Sequence, residues 1–96
     1  MGYHLIYHPE IPNDLVAIPV NIKERIKRAI ETRLLIDPIS YGLPLRKSLQ
    51  GHRKLRTGDY RVIYTIEGHK IFIWKTGHRK DVYPKALIRL IKPVRL

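Results

Sequence analysis

Between His52 and Thr76 the chain offers three β-forming runs separated by two glycine turns, a spacing that commits this stretch to an antiparallel meander. The runs are His52–Arg56, Tyr60–Glu67 and Lys70–Thr76, and Thr57-Gly58-Asp59 and Gly68-His69 have the composition of hairpin turns. Alternate side chains of a strand share a face. His52, Lys54 and Arg56 are therefore expected on one side, with Arg53 and Leu55 on the other. Tyr60, Val62, Tyr64 and Ile66 form a mainly apolar face, opposite Arg61, Ile63 and Thr65. The predicted sheet thus has a core side and a partly basic side. Ile71 and Ile73 alternate with Phe72 and Trp74; these two aromatic side chains are expected to serve the core, and Tyr41, Tyr60 and Tyr64 to be structural.

The first third of the chain supplies a cover for the apolar side. Tyr3–His8 reads as a strand stopped by Pro9, and Ile11–Ile18 as one or two helical turns pinned by Pro12 and Pro19. From Asn21 the apolar residues are Ile22, Ile26, Ala29, Ile30 and Leu34, which lie on one stripe of an amphipathic helix. Asn21 with Glu24 predicts its N-cap, and Asp37-Pro38 its end. Pro38–Gly51 shows neither period and is expected to be a long connecting loop. Pro84–Ile91 predicts a last short helix with Leu87, Ile88 and Ile91 on its apolar side, stopped by Pro93. The expectation is one α+β domain over residues 1–96: two N-terminal helices on one face of a small twisted, mainly antiparallel sheet, with a short C-terminal helix. Ile22, Ile26, Ile30, Val62, Tyr64, Ile71 and Ile73 are its expected core.

Charge narrows the partners. Nineteen Lys and Arg against eight Asp and Glu leave a formal net charge of +11 on 96 residues, which attracts nucleic acid or an acidic protein. No segment pairs a basic face with a broad aromatic one, so no membrane partner is expected. No apolar stretch approaches the roughly 20 residues that span a bilayer, and the N-terminus lacks the pattern of a secretory signal, so a cytoplasmic protein is expected. Cysteine is absent, which rules out disulfides and thiolate metal sites. His4 and His8 stand four apart on a predicted strand, where that spacing does not make a shared ligand face, so no metal and no cofactor are expected.

Two segments, HRKLRTGDYRVIY over 52–64 and GHRKDVY over 77–83, gather histidine, lysine, arginine and tyrosine around this sheet. Together they resemble the RelE/ParE toxin superfamily, in its RelE-like mRNA interferase branch, where a K-L-R strand turns through glycine into Y-R-V-I-Y and a later G-x-R segment ends in V-Y. The resemblance covers nearly the whole chain. It implies the toxin of a type II toxin–antitoxin pair, an endoribonuclease that cuts mRNA in the ribosomal A site and needs no metal. Attack of the RNA 2′-OH on the adjacent phosphorus would leave a 2′,3′-cyclic phosphate and a 5′-OH.

Matched residue by residue, the resemblance places catalysis on Lys54, Arg61, Arg79 and Tyr83. Lys54 is the implied base, Arg61 the ligand of the scissile phosphate, Arg79 the stabiliser of the transition state or leaving group, and Tyr83 a base-stacking group. His52 stands where well-known members carry a second lysine, and because histidine titrates near neutrality it is an alternative base. Arg53, Arg56, His78 and Lys80 are expected to contact RNA or phosphate, with His78 a candidate general acid. The implied partners are a cognate acidic antitoxin, mRNA and the ribosome, with DNA reached only through the toxin–antitoxin complex. The competing readings are a ParE-like inhibitor of DNA gyrase and a nucleic-acid-binding module without catalysis.

Overall fold

The computed structural model describes residues 2–91. Strands β1 (His4–Tyr7), β2 (Leu43–Pro44), β3 (Arg53–Thr57), β4 (Tyr60–Glu67) and β5 (Lys70–His78) form one sheet in the order β1-β5-β4-β3-β2. The expected meander β3-β4-β5 is its centre. Glycines 58 and 68, at φ +60° and +59°, make the left-handed backbone that its two tight turns require. β1 joins β5 in parallel, from His4 opposite Lys70 to Tyr7 opposite Ile73, so the sheet is mixed.

Helices α1 (Ile11–Val16) and α2 (Val20–Ala29) cover one face. Their Ile11, Ile26 and Ala29 pack with Leu55, Val62, Tyr64, Ile71 and Ile73 in the main core. Each large aliphatic side chain removed from water there contributes about 1.5–3 kcal/mol. Six of the seven expected core residues are buried, and Ile22 packs against them half-buried. Helix α2 starts one residue before Asn21, because the Pro19 carbonyl accepts the Ile22 and Lys23 N–H groups at 3.0 and 2.9 Å; the expected Asn21 cap is not made. From Ile30 to Leu34 the helix widens to π pitch, where Thr32 Oγ1 donates to the Arg28 carbonyl at 2.7 Å.

Pro38–Gly51 is not a bare loop. It holds α3 (Pro38–Tyr41), β2 and a 3₁₀ turn at Lys47–Leu49, each too short to show a period in sequence. Asp37, which ends the preceding helix, caps α3 by accepting from the Ser40 N–H at 3.1 Å. Buried Tyr64 fastens this segment to the core: its hydroxyl donates to the Pro38 carbonyl at 2.6 Å. Arg53 completes the tie, with Nη2 donating to the Ile39 and Gly42 carbonyls at 2.6 and 2.9 Å. Burial pushes the Tyr64 phenol up, against the pull of Arg53, which keeps it a neutral donor. Tyr64→Phe should therefore cost about 1–3 kcal/mol by orphaning buried partners, read as a lower Tm in thermal unfolding. Tyr41, expected to be structural, is half exposed.

Helix α4 (Val82–Ile91) begins two residues before Pro84 and lies on the other face of the sheet. Val82 and Ala86 are its buried residues, packed with Ile63, while Ile88 and Ile91 face solvent, contrary to the expected apolar side. The expected stop at Pro93 lies outside the described residues.

A bulge separates the two faces of β5. Tyr64 pairs with Ile73 but Ile63 pairs with Lys75, so Trp74 is an extra residue. Simple alternation would send Lys75 to the main core, and the bulge returns it to the α4 side. Trp74 packs there too, beside Phe72 with ring centroids 6.2 Å apart, so these aromatics are not part of the helix-covered core that contains Ile71 and Ile73.

Candidate functional site

The basic row expected on β3 stands on the α4 side of the sheet. Register places Lys54 opposite Ile63, and Arg56 opposite Arg61, all away from the Leu55–Val62 core. Lys54 Nζ lies 5.7 Å from the centre of the Tyr83 ring, a cation–π contact between β3 and the first turn of α4. Like charges directly opposite on a sheet repel, and Arg61 relieves this by turning to the β3–β4 turn, where its Nη1 donates to the Gly58 and Tyr60 carbonyls, both at 2.9 Å. It is only 8% exposed. Arg79 reaches the same turn: its backbone N–H donates to the Asp59 carbonyl at 2.8 Å and its Nε stands 3.7 Å from the Asp59 carboxylate. Tyr83 and Lys54 therefore meet at one end of this surface, while Arg61 and Arg79 share the Gly58–Tyr60 turn.

His52, just before β3, sets its ring edge-on to Trp74 at 6.0 Å, and its Nδ1 is buried without a hydrogen-bond partner among the described residues. It shares the face of Lys54. His78 does not. By register it sits opposite Tyr60, whose ring it meets edge-on at 5.4 Å, and Tyr60 packs toward the helix-covered core. Arg53 also points to that core, its guanidinium occupied by the carbonyls described above, so it supports the fold rather than the basic surface. Arg56 and Lys80 are exposed, and the Lys80 N–H donates to His78 Nδ1 at 3.2 Å.

The ion pairs among the described residues are Lys75–Asp14, Arg89–Asp14 and Arg79–Asp59. Lys54, Arg56 and Arg61 join none of them; Lys54 and Arg56 leave this face with accessible cationic charge, while Arg61 is buried against the turn carbonyls. No cluster of three metal-ligating side chains occurs among the described residues, and no helix among them is long and apolar enough to cross a membrane.

One constellation was invisible in the sequence. At the edge of β5 beyond the end of β1, the Asp14 carboxylate accepts from Lys75 Nζ at 2.5 Å, from the Thr76 N–H at 3.2 Å and from both terminal nitrogens of Arg89 at 2.8 and 3.0 Å. These partners are 61 to 75 positions away, and no local motif marks them. Burial alone would push the Asp14 carboxyl up, but the bonds from Arg89, Lys75 and the Thr76 N–H outweigh it and hold it below the ordinary value. A depressed folded-state pKa gives stability that is full above the unfolded value and lost as pH falls through the folded one. His8 beside this cluster is pushed down by burial and then by Arg89, so it also loses stability on acidification, starting from its unfolded value near pH 6.5. Melts at constant ionic strength should show Tm falling below about pH 6, and again below about pH 4, with the second limb smaller in Asp14→Asn, where the Ser40-bonded Asp37 carboxylate still contributes.

Comparison with known proteins gives this surface a context. A family model described as the ParE toxin of type II toxin–antitoxin systems matches residues 5–83. The chain belongs to that family. Within the wider RelE/ParE superfamily, the toxin is 32% identical over 83 residues to Toxin RelE of Mycobacterium tuberculosis, covering 84% of this chain and 86% of that protein. Toxin RelG of the same organism is 29% identical over 85 residues, covering 86% of this chain and 98% of that one. Among solved structures, the toxin–antitoxin complex RelBE2 from M. tuberculosis includes a chain that superposes with a TM-score of 0.76 at 27% identity, covering 82% of this chain and all of that one. A free-state mutant of E. coli toxin RelE gives 0.67 at 21% identity, covering 94% and 99%, a likeness of fold. The α+β toxin fold expected from the sequence is the one found. All the candidate residues from His52 to Tyr83 lie inside the family match.

Proposed function

We propose that this toxin is a metal-independent endoribonuclease that cleaves mRNA, in the ribosomal A site, and so arrests translation. The observation that carries the reading is the pairing of Lys54 with Tyr83 on a face where Lys54, Arg56 and Arg61 have no acidic partner among the described residues. Such a surface suits a phosphodiester: the cations stabilise charge on the phosphorane, and an aromatic ring beside the amine can hold a base. Lys54 takes the 2′-OH proton, with His52 as the alternative base on the same face. Arg61, its guanidinium braced by the turn, binds the scissile phosphate. Arg79 stabilises the transition state from the turn's far side, and exposed Arg56 and Lys80 contact neighbouring phosphates. Arg53 and His78, on the opposite side, take no part. The reaction leaves a 2′,3′-cyclic phosphate and a 5′-OH, the leaving 5′-oxygen taking its proton from solvent water.

An acidic antitoxin is the proposed inhibitor, and DNA is reached only in its company. The net charge of +11 fits such a partner, and the solved relatives include a RelBE2 toxin–antitoxin complex and a RelB–RelE antitoxin–toxin complex. The site of action is the cytoplasm.

A second reading, poisoning of DNA gyrase, is favoured by the ParE description of the matching family. Induction of the toxin in growing cells separates the two. Primer extension on an abundant message should show new 5′ ends inside the coding region while plasmid supercoiling stays normal. Intact messages with relaxed plasmid would replace the first reading by the second.

A further inference from the structure

We propose that Asp14 is a positioning residue for the site: through Arg89 it fixes the roll of α4 and thereby holds Tyr83 over Lys54. This deepens the ribonuclease reading and rests on it for its kinetic consequence. The fully buried side chains of helix α4 are Val82 and Ala86, with Tyr83, Leu87 and Leu90 half-buried and Ile88 and Ile91 exposed. Both fully buried side chains are small and stand in its first half, which leaves the roll of its last turns less firmly fixed. Arg89 removes that freedom. Its guanidinium grips the Asp14 carboxylate through both terminal nitrogens, at 2.8 and 3.0 Å, and Nη1 also donates to the Trp74 carbonyl at 2.9 Å.

The anchor is well buried: the side chains of Asp14, Lys75 and Arg89 are 2, 12 and 13% exposed. Planar two-pronged pairing fixes orientation as well as distance. Six residues separate Tyr83 from Arg89, about 240° around a helix of 3.6 residues per turn, so the two side chains leave α4 on different sides. Tyr83 faces Lys54 on β3, and Arg89 faces α1. A helix held from two sides cannot rotate without breaking one contact. The cleft between α1 and α4 is about 430 Å³ and is lined by Asn13, Lys85 and Thr76 as well as the triad, so there is room for α4 to shift once Arg89 lets go.

Arg89→Gln is the informative change, because Asp14 keeps Lys75 and the Thr76 N–H and the domain stays folded. Two measurements test the proposal. In proton NMR, the side-chain methylenes of Lys54 should carry an upfield ring-current shift from Tyr83, and Arg89→Gln should remove it while amide shifts of β3 and β4 hold. In single-turnover cleavage of ribosome-bound mRNA, Arg89→Gln should lower the rate constant about 10- to 100-fold with half-saturation unchanged. In a Tyr83→Ala background the same change should cost nothing further. Retention of the Lys54 shift in Arg89→Gln, or an equal rate loss in both backgrounds, overturns the positioning role. The NMR result stands whether or not the wild type cuts RNA, so absence of cleavage with loss of the shift would sink the ribonuclease reading and keep the positioning.

Discussion

Lys54→Ala should slow cleavage of ribosome-bound mRNA by about 10²–10³ and leave Tm nearly unchanged. The Lys54 amine makes no ion pair among the described residues and stands against the Tyr83 ring, so its loss removes chemistry and some like-charge repulsion but little packing. Arg61→Ala should behave differently. It removes a phosphate ligand and also the donor that holds the Gly58 and Tyr60 carbonyls, so both rate and stability should fall. The pH dependence chooses between the two possible bases. If His52 were the base, the rising limb of the wild-type pH–rate profile would depend on it, and His52→Ala would lose that limb. With Lys54 as base, His52→Ala keeps the wild-type profile. Near-normal cleavage by Lys54→Ala overturns the assignment.

Gly42→Ala should be the most damaging single change to the fold. A Cβ there would lie 1.7 Å from the Tyr64 hydroxyl oxygen and 2.7 Å from its ring carbon Cζ. The ring has nowhere to go, because Tyr64 is fully buried and its hydroxyl is tied to the Pro38 carbonyl. The loss is expected at about 4 kcal/mol or more, which for a domain of this size lowers Tm by roughly 15 °C or more. Gly68→Ala is the control. An added Cβ meets open space and bears only the strain of φ +59°, about 1–2 kcal/mol. Equal melting of the two variants would show that the Gly42–Tyr64 contact does not hold the Pro38–Leu45 segment.

How much could be read from the sequence depended on how local the cause was. The β3-β4-β5 meander was legible because alternation and glycine turns act over a few residues, and the stripe from Ile22 to Leu34 because its period repeats several times. The same alternation put His52, Lys54 and Arg56 on one face. Short elements between Pro38 and Gly51 left no period to find. The parallel pairing of β1 with β5 joins residues far apart in the chain, and nothing in Tyr3–His8 names its partner. The bulge at Trp74 defeats alternation beyond it by inserting one residue, which is why the face of Lys75 could not be read from the sequence. Arg53 and Arg61 look alike in sequence, yet one braces α3 and the other the β3–β4 turn, because carbonyls left unpaired in those segments need donors. Asp14 carried no signal at all, since its role exists only once α1, β5 and α4 have met.

The chemistry of the cut ends tests the central claim most directly. Purified toxin, mixed in single-turnover excess with ribosomes programmed with a defined mRNA, should cut the message, and mass spectrometry of the fragments should find a 2′,3′-cyclic phosphate on one side and a 5′-OH on the other. Both products should form about 10²–10³-fold more slowly, and in step, in Lys54→Ala. Fragments ending in 3′-OH and 5′-phosphate, or an uncut message from a toxin preparation that blocks gyrase, would contradict the account.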